Sequence, residues 1–213
     1  MICKVCNKEI KEYYLNDVLG IKKHTICYKC FSELPLIYEF SKIHEYKCLS
    51  LYAYKDKIKE LIYQFKGLKD IELKDIFLEF FLTELSLKYK GYVITYAPSF
   101  DLSNKERGFN HVEEMFSSLD NEKVPLFYKN KDYKQSDQSF KNREKINNII
   151  ELKKDNLKGL KKVLIVDDVL TSGNTLYTCA SLLYKEVIKD IKLLTISKVV
   201  EFWCFFVDEL LTI

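Results

Sequence analysis

The chain has 213 residues, 47% of them hydrophobic, and a net charge of +3. That suits one ordinary core plus a small appendage, and the near-balanced charge does not by itself predict nucleic-acid binding. Six Gly and three Pro exclude long flexible linkers, and the apolar run Phe202 to Val207 is too short to span a bilayer.

Two cysteine pairs come first, Cys3-x-x-Cys6 and Cys27-x-x-Cys30, with twenty residues between them. Two short thiolate knuckles at this spacing grip one tetrahedral ion, so these four residues are read as Zn²⁺ ligands. Four sulfur ligands leave no open position, which makes the zinc structural rather than catalytic. A head this small lacks the core to fold alone, and metal binding on the order of 10–16 kcal/mol supplies what burial does not. No apolar leader precedes Cys3, so a cytoplasmic protein is expected, where disulfides are disfavoured. A redox CxxC needs one pair only, at the start of a helix. His24 is read as bystander polarity, and Cys48, Cys179 and Cys204 as buried thiols.

Residues 33–48 are expected to connect this head, residues 1–48, to a body spanning 49–213. Leu51 to Tyr54 reads as extended chain. Ile58, Leu61, Ile62 and Phe65 have helical spacing and predict a helix over Lys57 to Phe65, ending at Lys66-Gly67. The helical period repeats from Ile71 to Tyr89. Tyr92 to Pro98 reads as a strand stopped by its proline. A charged loop, Ser99 to Gly108, leads to a helix from Asn110 to Leu119, and Val124 to Tyr128 reads as a strand. Lys129 to Arg143 is polar and expected to be mobile. Val163 to Val166 predicts a central strand buried on both faces, followed by a helix from Thr175 and a strand from Ile191 to Val200. Phe202 to Ile213 is read as core or contact surface. Strands alternating with helices argue for an α/β fold with a doubly wound, mostly parallel sheet.

The chemistry concentrates in Val163 to Thr175. An apolar strand ends in adjacent carboxylates, Asp167 and Asp168, followed by Thr171-Ser172-Gly173-Asn174-Thr175 and a helix. Open α/β sheets hold phosphorylated sugars this way: the ligand lies beyond the strand's carboxyl end and its phosphate meets the loop amides and helix N-terminus. No Lys follows Gly173, which excludes a Walker-type loop, and no G-x-G occurs, so other nucleotide readings fit worse. A second feature is the stretch Lys123 to Lys162, with twelve Lys/Arg against five Asp/Glu. Phe127, Tyr128, Tyr133 and Phe140 interleave there, a pattern that suits either a solvated Lys-rich face or a surface tracking single-stranded DNA.

The run from Val163 to Thr175 resembles the phosphoribosyl-pyrophosphate (PRPP) loop of type I phosphoribosyltransferases. With the four-cysteine head, Tyr54 to Lys66, Val93 to Pro98, Lys105-Glu106-Arg107-Gly108-Phe109-Asn110, and Gln138 with Arg143 and Asn147, the chain resembles the ComF family. These are competence-associated, phosphoribosyltransferase-like proteins with an N-terminal zinc finger. His111 stands where that family prefers Gln, and Ser172 where it usually has Thr.

The resemblance implies a type I phosphoribosyltransferase fold that binds PRPP with Mg²⁺. Asp167 and Asp168 would take the ribose hydroxyls and the metal, and residues 171–175 the 5-phosphate. Arg107 and Lys105 would meet pyrophosphate; Lys66 is read as a helix-end lysine able to add a cation. Arg107 is grouped with the two acids as catalytic. Three functions stand open: handling of incoming single-stranded DNA in natural transformation, nucleotide salvage by phosphoribosyl transfer, and a PRPP-sensing adaptor whose head docks a helicase or uptake-machinery protein.

Overall fold

A computed structural model describes residues 1–10, 24–98, 107–129, 150–186 and 188–200. Five strands form the main sheet in the order β1-β2-β7-β6-β3. These are β1 (Leu36–Ile43), β2 (Tyr46–Ala53), β3 (Val93–Tyr96), β6 (Lys162–Leu170) and β7 (Asp190–Lys198). β1 pairs antiparallel with β2; every other pairing is parallel. Two short strands, β4 (Phe127–Lys129) and β5 (Ile150–Leu152), make a separate antiparallel ribbon.

β6 is an interior strand, between β7, which holds the middle of the sheet, and the edge strand β3; Val163, Leu164, Ile165 and Val166 have nowhere apolar to go but the interior, and all four are fully buried. Alternation along the strand divides them between two cores. Leu164 and Val166 pack into one layer with α2 (Asp56–Gly67), the 3₁₀ segment Ile71–Phe77, α3 (Leu82–Lys88), α4 (His111–Met115) and the cysteine head, whose single helical turn is α1 (Tyr28–Ser32). Val163 and Ile165 face a second layer, built by α5 (Asn174–Lys185) and the β4-β5 ribbon. The sheet is therefore covered on both faces, the mostly parallel α/β architecture that the alternating elements predict.

Three local readings change. The connector expected over 33–48 instead carries β1 and the start of β2, so a boundary at 48/49 falls inside a strand. β1 escapes a periodicity search because Leu36 and Phe40 stay exposed at the sheet edge. The long helix expected over 71–89 divides into the 3₁₀ segment and α3. Glu79 lies at the break, buried, its carboxylate bonded to His24 Nδ1 (2.9 Å) and the Thr25 amide (2.6 Å). Tertiary demand for that carboxylate overrides the apolar period. The helix expected from Asn110 to Leu119 is helical only to Met115, with Asn110 capping the amides of Val112 (3.2 Å) and Glu113 (3.4 Å). The segments Lys129 to Arg143, beyond Lys129 itself, and Phe202 to Ile213 lie outside the described residues. No helix among the described residues is long and apolar enough to cross a membrane.

Candidate functional site

β6 continues through the acidic pair to Leu170, so Asp167 and Asp168 sit within the strand and address opposite faces. Asp168 lies on the Leu164 and Val166 face, towards α2 and α4. Its Oδ2 accepts from Lys66 Nζ at the end of α2 and lies 3.3 Å from His111 Nε2 on α4. Its Oδ1 accepts from the Val169 amide at 2.7 Å. Asp167 turns towards α5, where its charge adds to the burial that pushes up the Cys48 and Cys179 thiols.

The two carboxyl groups are driven apart electrostatically. Burial, reinforced by the Asp168 charge, pushes Asp167 well above the usual carboxylate range. Burial acts on Asp168 in the same direction, but the His111 hydrogen bond and the Lys66 charge outweigh it and hold Asp168 below that range. Adjacent acids with opposed shifts give one fixed anion and one group that takes a proton more readily.

His111 resolves into one tautomer. Arg107 NH1 lies 3.0 Å from His111 Nδ1, and a guanidinium can only donate. Nδ1 therefore accepts, and the ring proton sits on Nε2, donated to Asp168. Burial, first, and the cations Lys66 and Arg107 lower the His111 pKa against the pull of Asp168, in keeping with a neutral ring. Arg107 Nε also donates to the Lys66 carbonyl at 3.1 Å, tying the residues before α4 to the end of α2.

The chain Arg107, His111, Asp168, Lys66 lines an open cleft of about 280 Å³ with Asp167, Lys129 and Thr175. The loop after β6 reaches it at Thr175. Gly173 has φ +76°, and a Cβ there would stand 3.1 Å from the Ile43 side chain, so only glycine fits without strain. Gly173 is the N-cap residue of α5; the Ser172 hydroxyl accepts from the Asn174 amide at 3.4 Å. Thr171, Ser172 and Asn174 are exposed to an arriving ligand.

Of the residues singled out from sequence, Arg107, Asp167, Asp168 and Thr175 line the cleft together, Thr175 being the one member of the loop 171–175 in its lining. Lys105, Gln138, Arg143 and Asn147 lie outside the described residues. Lys66 proves to be the ion-pair partner of Asp168 rather than a solvated helix end. His111 and Lys129 went unassigned as site residues. No local spacing marked His111, because Arg107 lies before the extended Asn110 cap and the left-handed Gly108 rather than on the helix of His111.

The phosphoribosyl transferase domain family matches residues 105–199. Competence protein ComFC of Bacillus subtilis is 25% identical over 191 residues, covering 87% of this chain and 78% of its own. Competence protein ComFC of Streptococcus pneumoniae is 29% identical, covering 67% of this chain and 64% of its own. These likenesses support a ComF-family, phosphoribosyltransferase-like protein. Among solved structures, a hypoxanthine phosphoribosyltransferase from Staphylococcus aureus is 16% identical with a TM-score of 0.36, covering 60% of this chain and 62% of that one.

The cysteine head assembles as the spacing predicts. The sulfurs of Cys3, Cys6, Cys27 and Cys30 lie within 4.8 Å of one another, with Cys6 and Cys27 at 3.9 Å. Tetrahedral zinc with Zn–S bonds near 2.3 Å needs sulfurs roughly 3.8 Å apart, so the four cysteines can hold such an ion. The Cys27 amide donates to Cys3 Sγ at 3.4 Å. Burial raises the Cys3 thiol, but backbone amides of Cys27, Cys6 and Val5 overcome this and bring it to about 7. Burial and the surrounding thiols push Cys30 up. His24 stands apart, bonded to Glu79, as bystander polarity would.

Proposed function

We propose that this protein binds PRPP with Mg²⁺ in the Asp168 cleft and, in the cytoplasm, serves the handling of incoming single-stranded DNA during natural transformation. One observation carries the ligand reading: a buried, ionised Asp168 held between a lysine and a neutral histidine, beside a hydroxyl-rich helix-start loop. That arrangement suits a ligand presenting hydroxyls at one end and phosphates at the other.

Asp168 accepts from the ribose hydroxyls as Lys66 turns towards the diphosphate. Arg107, anchored by the Lys66 carbonyl, adds a second cation at the same end. The amides and hydroxyls of Thr171, Ser172, Gly173, Asn174 and Thr175 take the 5-phosphate. Asp167 and Asp168, the carboxylates in the cleft lining, would hold Mg²⁺, which would supply neutralisation of the diphosphate charge. Charge building on a departing diphosphate meets donors already in place, which is how such a site lowers a barrier. The DNA role rests on kinship with proteins named for competence and on the basic, aromatic stretch Lys123 to Lys162.

The test is calorimetric titration of zinc-loaded protein with PRPP and Mg²⁺, alongside Asp167→Asn and Asp168→Asn. Saturable binding lost in both variants supports the reading; absence of binding by folded wild-type protein overturns it. Pyrophosphate release with an added base would move the protein to nucleotide salvage. Binding without turnover, and without any effect of deletion on transformation, would favour a PRPP-sensing adaptor that docks a helicase or uptake-machinery partner.

A further inference from the structure

β1 is an edge strand, with no strand beyond it among the described residues. Its first half is broken by a register shift between Leu36 and Glu39. From Glu39 to Ile43 the pairing with β2 is continuous, so the outer side of this stretch offers a regular row of backbone donors and acceptors. A cleft of about 380 Å³ on this hairpin is lined by Phe40, Ser41, Lys42, Glu45 and Lys47. Phe40 is 50% exposed, with the Lys88 ammonium 5.1 Å from its ring centroid.

Lys42 stands directly opposite Lys47 on β2. Cys48 pairs with Leu193 and Leu164 with Lys192, so Lys192 on β7 continues the row beside Lys47. Three lysines thus lie side by side on one face of the sheet, roughly 5 Å from strand to strand. All three are exposed, and none has an ion-pair partner among the described residues. Like charges directly opposite one another destabilise a sheet. One lysine suffices to guard an edge against chance pairing. That role does not account for two more on inner strands, nor for an exposed phenylalanine on the edge itself. A row of unpaired cations that ends at an open edge is completed by an anionic strand.

We propose that the outer edge of β1 binds an extended acidic peptide of a partner protein, which adds a strand to the sheet and sets a carboxylate opposite Lys42 and an apolar side chain opposite Phe40. Phe40 and Lys42 are two residues apart and share a face, so the matching segment carries its acid and its apolar residue at i and i+2. Backbone hydrogen bonds supply the affinity, and these two side chains the selectivity. A second copy of this chain is the poorer occupant, because pairing β1 with itself brings two lysine rows together. No residue lines both this cleft and the Asp168 cleft, so the proposal stands whatever that cleft binds.

The test measures fluorescence anisotropy of labelled peptides, each as long as β1, titrated with the zinc-loaded full chain. In one peptide aspartate and valine alternate on one face and threonine fills the other; in a second, lysine replaces aspartate. The wild type is expected to bind the aspartate peptide about tenfold more tightly than the lysine peptide, with the gap narrowing at high salt. Lys42→Glu is expected to weaken the aspartate peptide roughly threefold to tenfold and to strengthen the lysine peptide. Its melting temperature stays equal or rises, because the new carboxylate faces Lys47. Two further aspartate peptides carry N-methyl groups on alternate amides, one set on each edge. Strand addition uses a single peptide edge, so one of these loses binding and the other keeps it. Equal behaviour of the two, or equal aspartate-peptide affinity in wild type and Lys42→Glu, overturns the proposal. A wild-type chain that binds neither peptide overturns it as well. So does a dimer dissolved by Phe40→Ser, which gives the edge to a second copy. Binding of oligothymidylate, weakened by Lys42→Glu, in place of the peptide would overturn it by making the lysine row a nucleic-acid surface.

Discussion

Neighbouring, near-isosteric substitutions at Asp167 and Asp168 are expected to move stability in opposite directions. Asp168→Asn cannot satisfy its surroundings. With the amide oxygen on the Val169 amide, its NH₂ faces Lys66 and the His111 N–H; turned round, it faces the Val169 N–H. Each lost hydrogen bond to the charged carboxylate is worth about 1.5–3 kcal/mol. The Lys66 side chain is 33% exposed, so its share is discounted towards that of a surface pair. The net loss comes to about 3 kcal/mol, or roughly 6–12 °C in melting temperature for a chain of this size. Asp167→Asn removes a charge that burial and Asp168 both oppose. Its oxygen can still accept from the Asp168 amide, as Oδ1 does now at 2.9 Å. The expected change is zero to about 1 kcal/mol of stabilisation. The signs in pH agree. Asp168, with its folded pKa lowered, contributes fully above the unfolded value of about 3.9, and the contribution is lost only as pH falls below that. Asp167, with its folded pKa raised, costs stability as pH rises above the same value. Scanning calorimetry of both zinc-loaded variants at pH 7 decides the matter: equal losses, or a larger loss for Asp167→Asn, would refute the argument.

Chelating the metal should lower the melting temperature of the whole chain, because Cys3, Ile26 and Cys30 belong to the same core as Leu164 and Val166; a chelator that changes neither zinc content nor thermal stability would count against a metal head. Gly173→Ala should cost about 1–3 kcal/mol from its left-handed backbone and the Ile43 contact, and Ile43→Val in the same chain should restore only the share owed to Cδ1, because Cγ2 would still stand 3.1 Å away, read by urea denaturation. His111 has its folded pKa lowered, so it contributes stability above the unfolded value of about 6.5 that is lost as pH falls through the folded one. His111→Gln should flatten the drop in melting temperature between pH 7 and pH 5, and an unchanged slope would contradict the neutral tautomer.

The buried strand β6, α2, the cysteine cluster and the β6 loop were all legible, because each is written in local spacing: four consecutive apolar residues, a helical period, paired CxxC knuckles, an acid pair before small hydroxyls; that β7 rather than β6 takes the middle of the sheet was not. β1 was not, since an edge strand with exposed Leu36 and Phe40 lacks the alternation that a half-buried strand shows. The break at Glu79 and the pairing of Lys66 with Asp168 were also hidden. Both join residues far apart in the chain, 54 positions for Thr25 and Glu79 and 102 for Lys66 and Asp168. Local pattern carries no information about which distant charge will meet which. The split of the two acids between faces follows from alternation alone, once β6 is seen to continue past Val166.

The pairing of β2 with β7 sets an order of assembly. Cys48 lies beside Leu193 and Ala53 beside Lys198, so the inner edge of β2 waits for a partner 145 residues downstream. At roughly 5–20 residues per second, synthesis leaves that edge open on the order of 10 s. The cysteine knuckles close within residues 3–30 and need not wait, so a metal-clamped head can stand ready before the sheet is complete. Sheet closure is then a late, long-range event, slow by its topology. Conditions that delay the C-terminal third of the chain will therefore expose the bare β2 edge to aggregation.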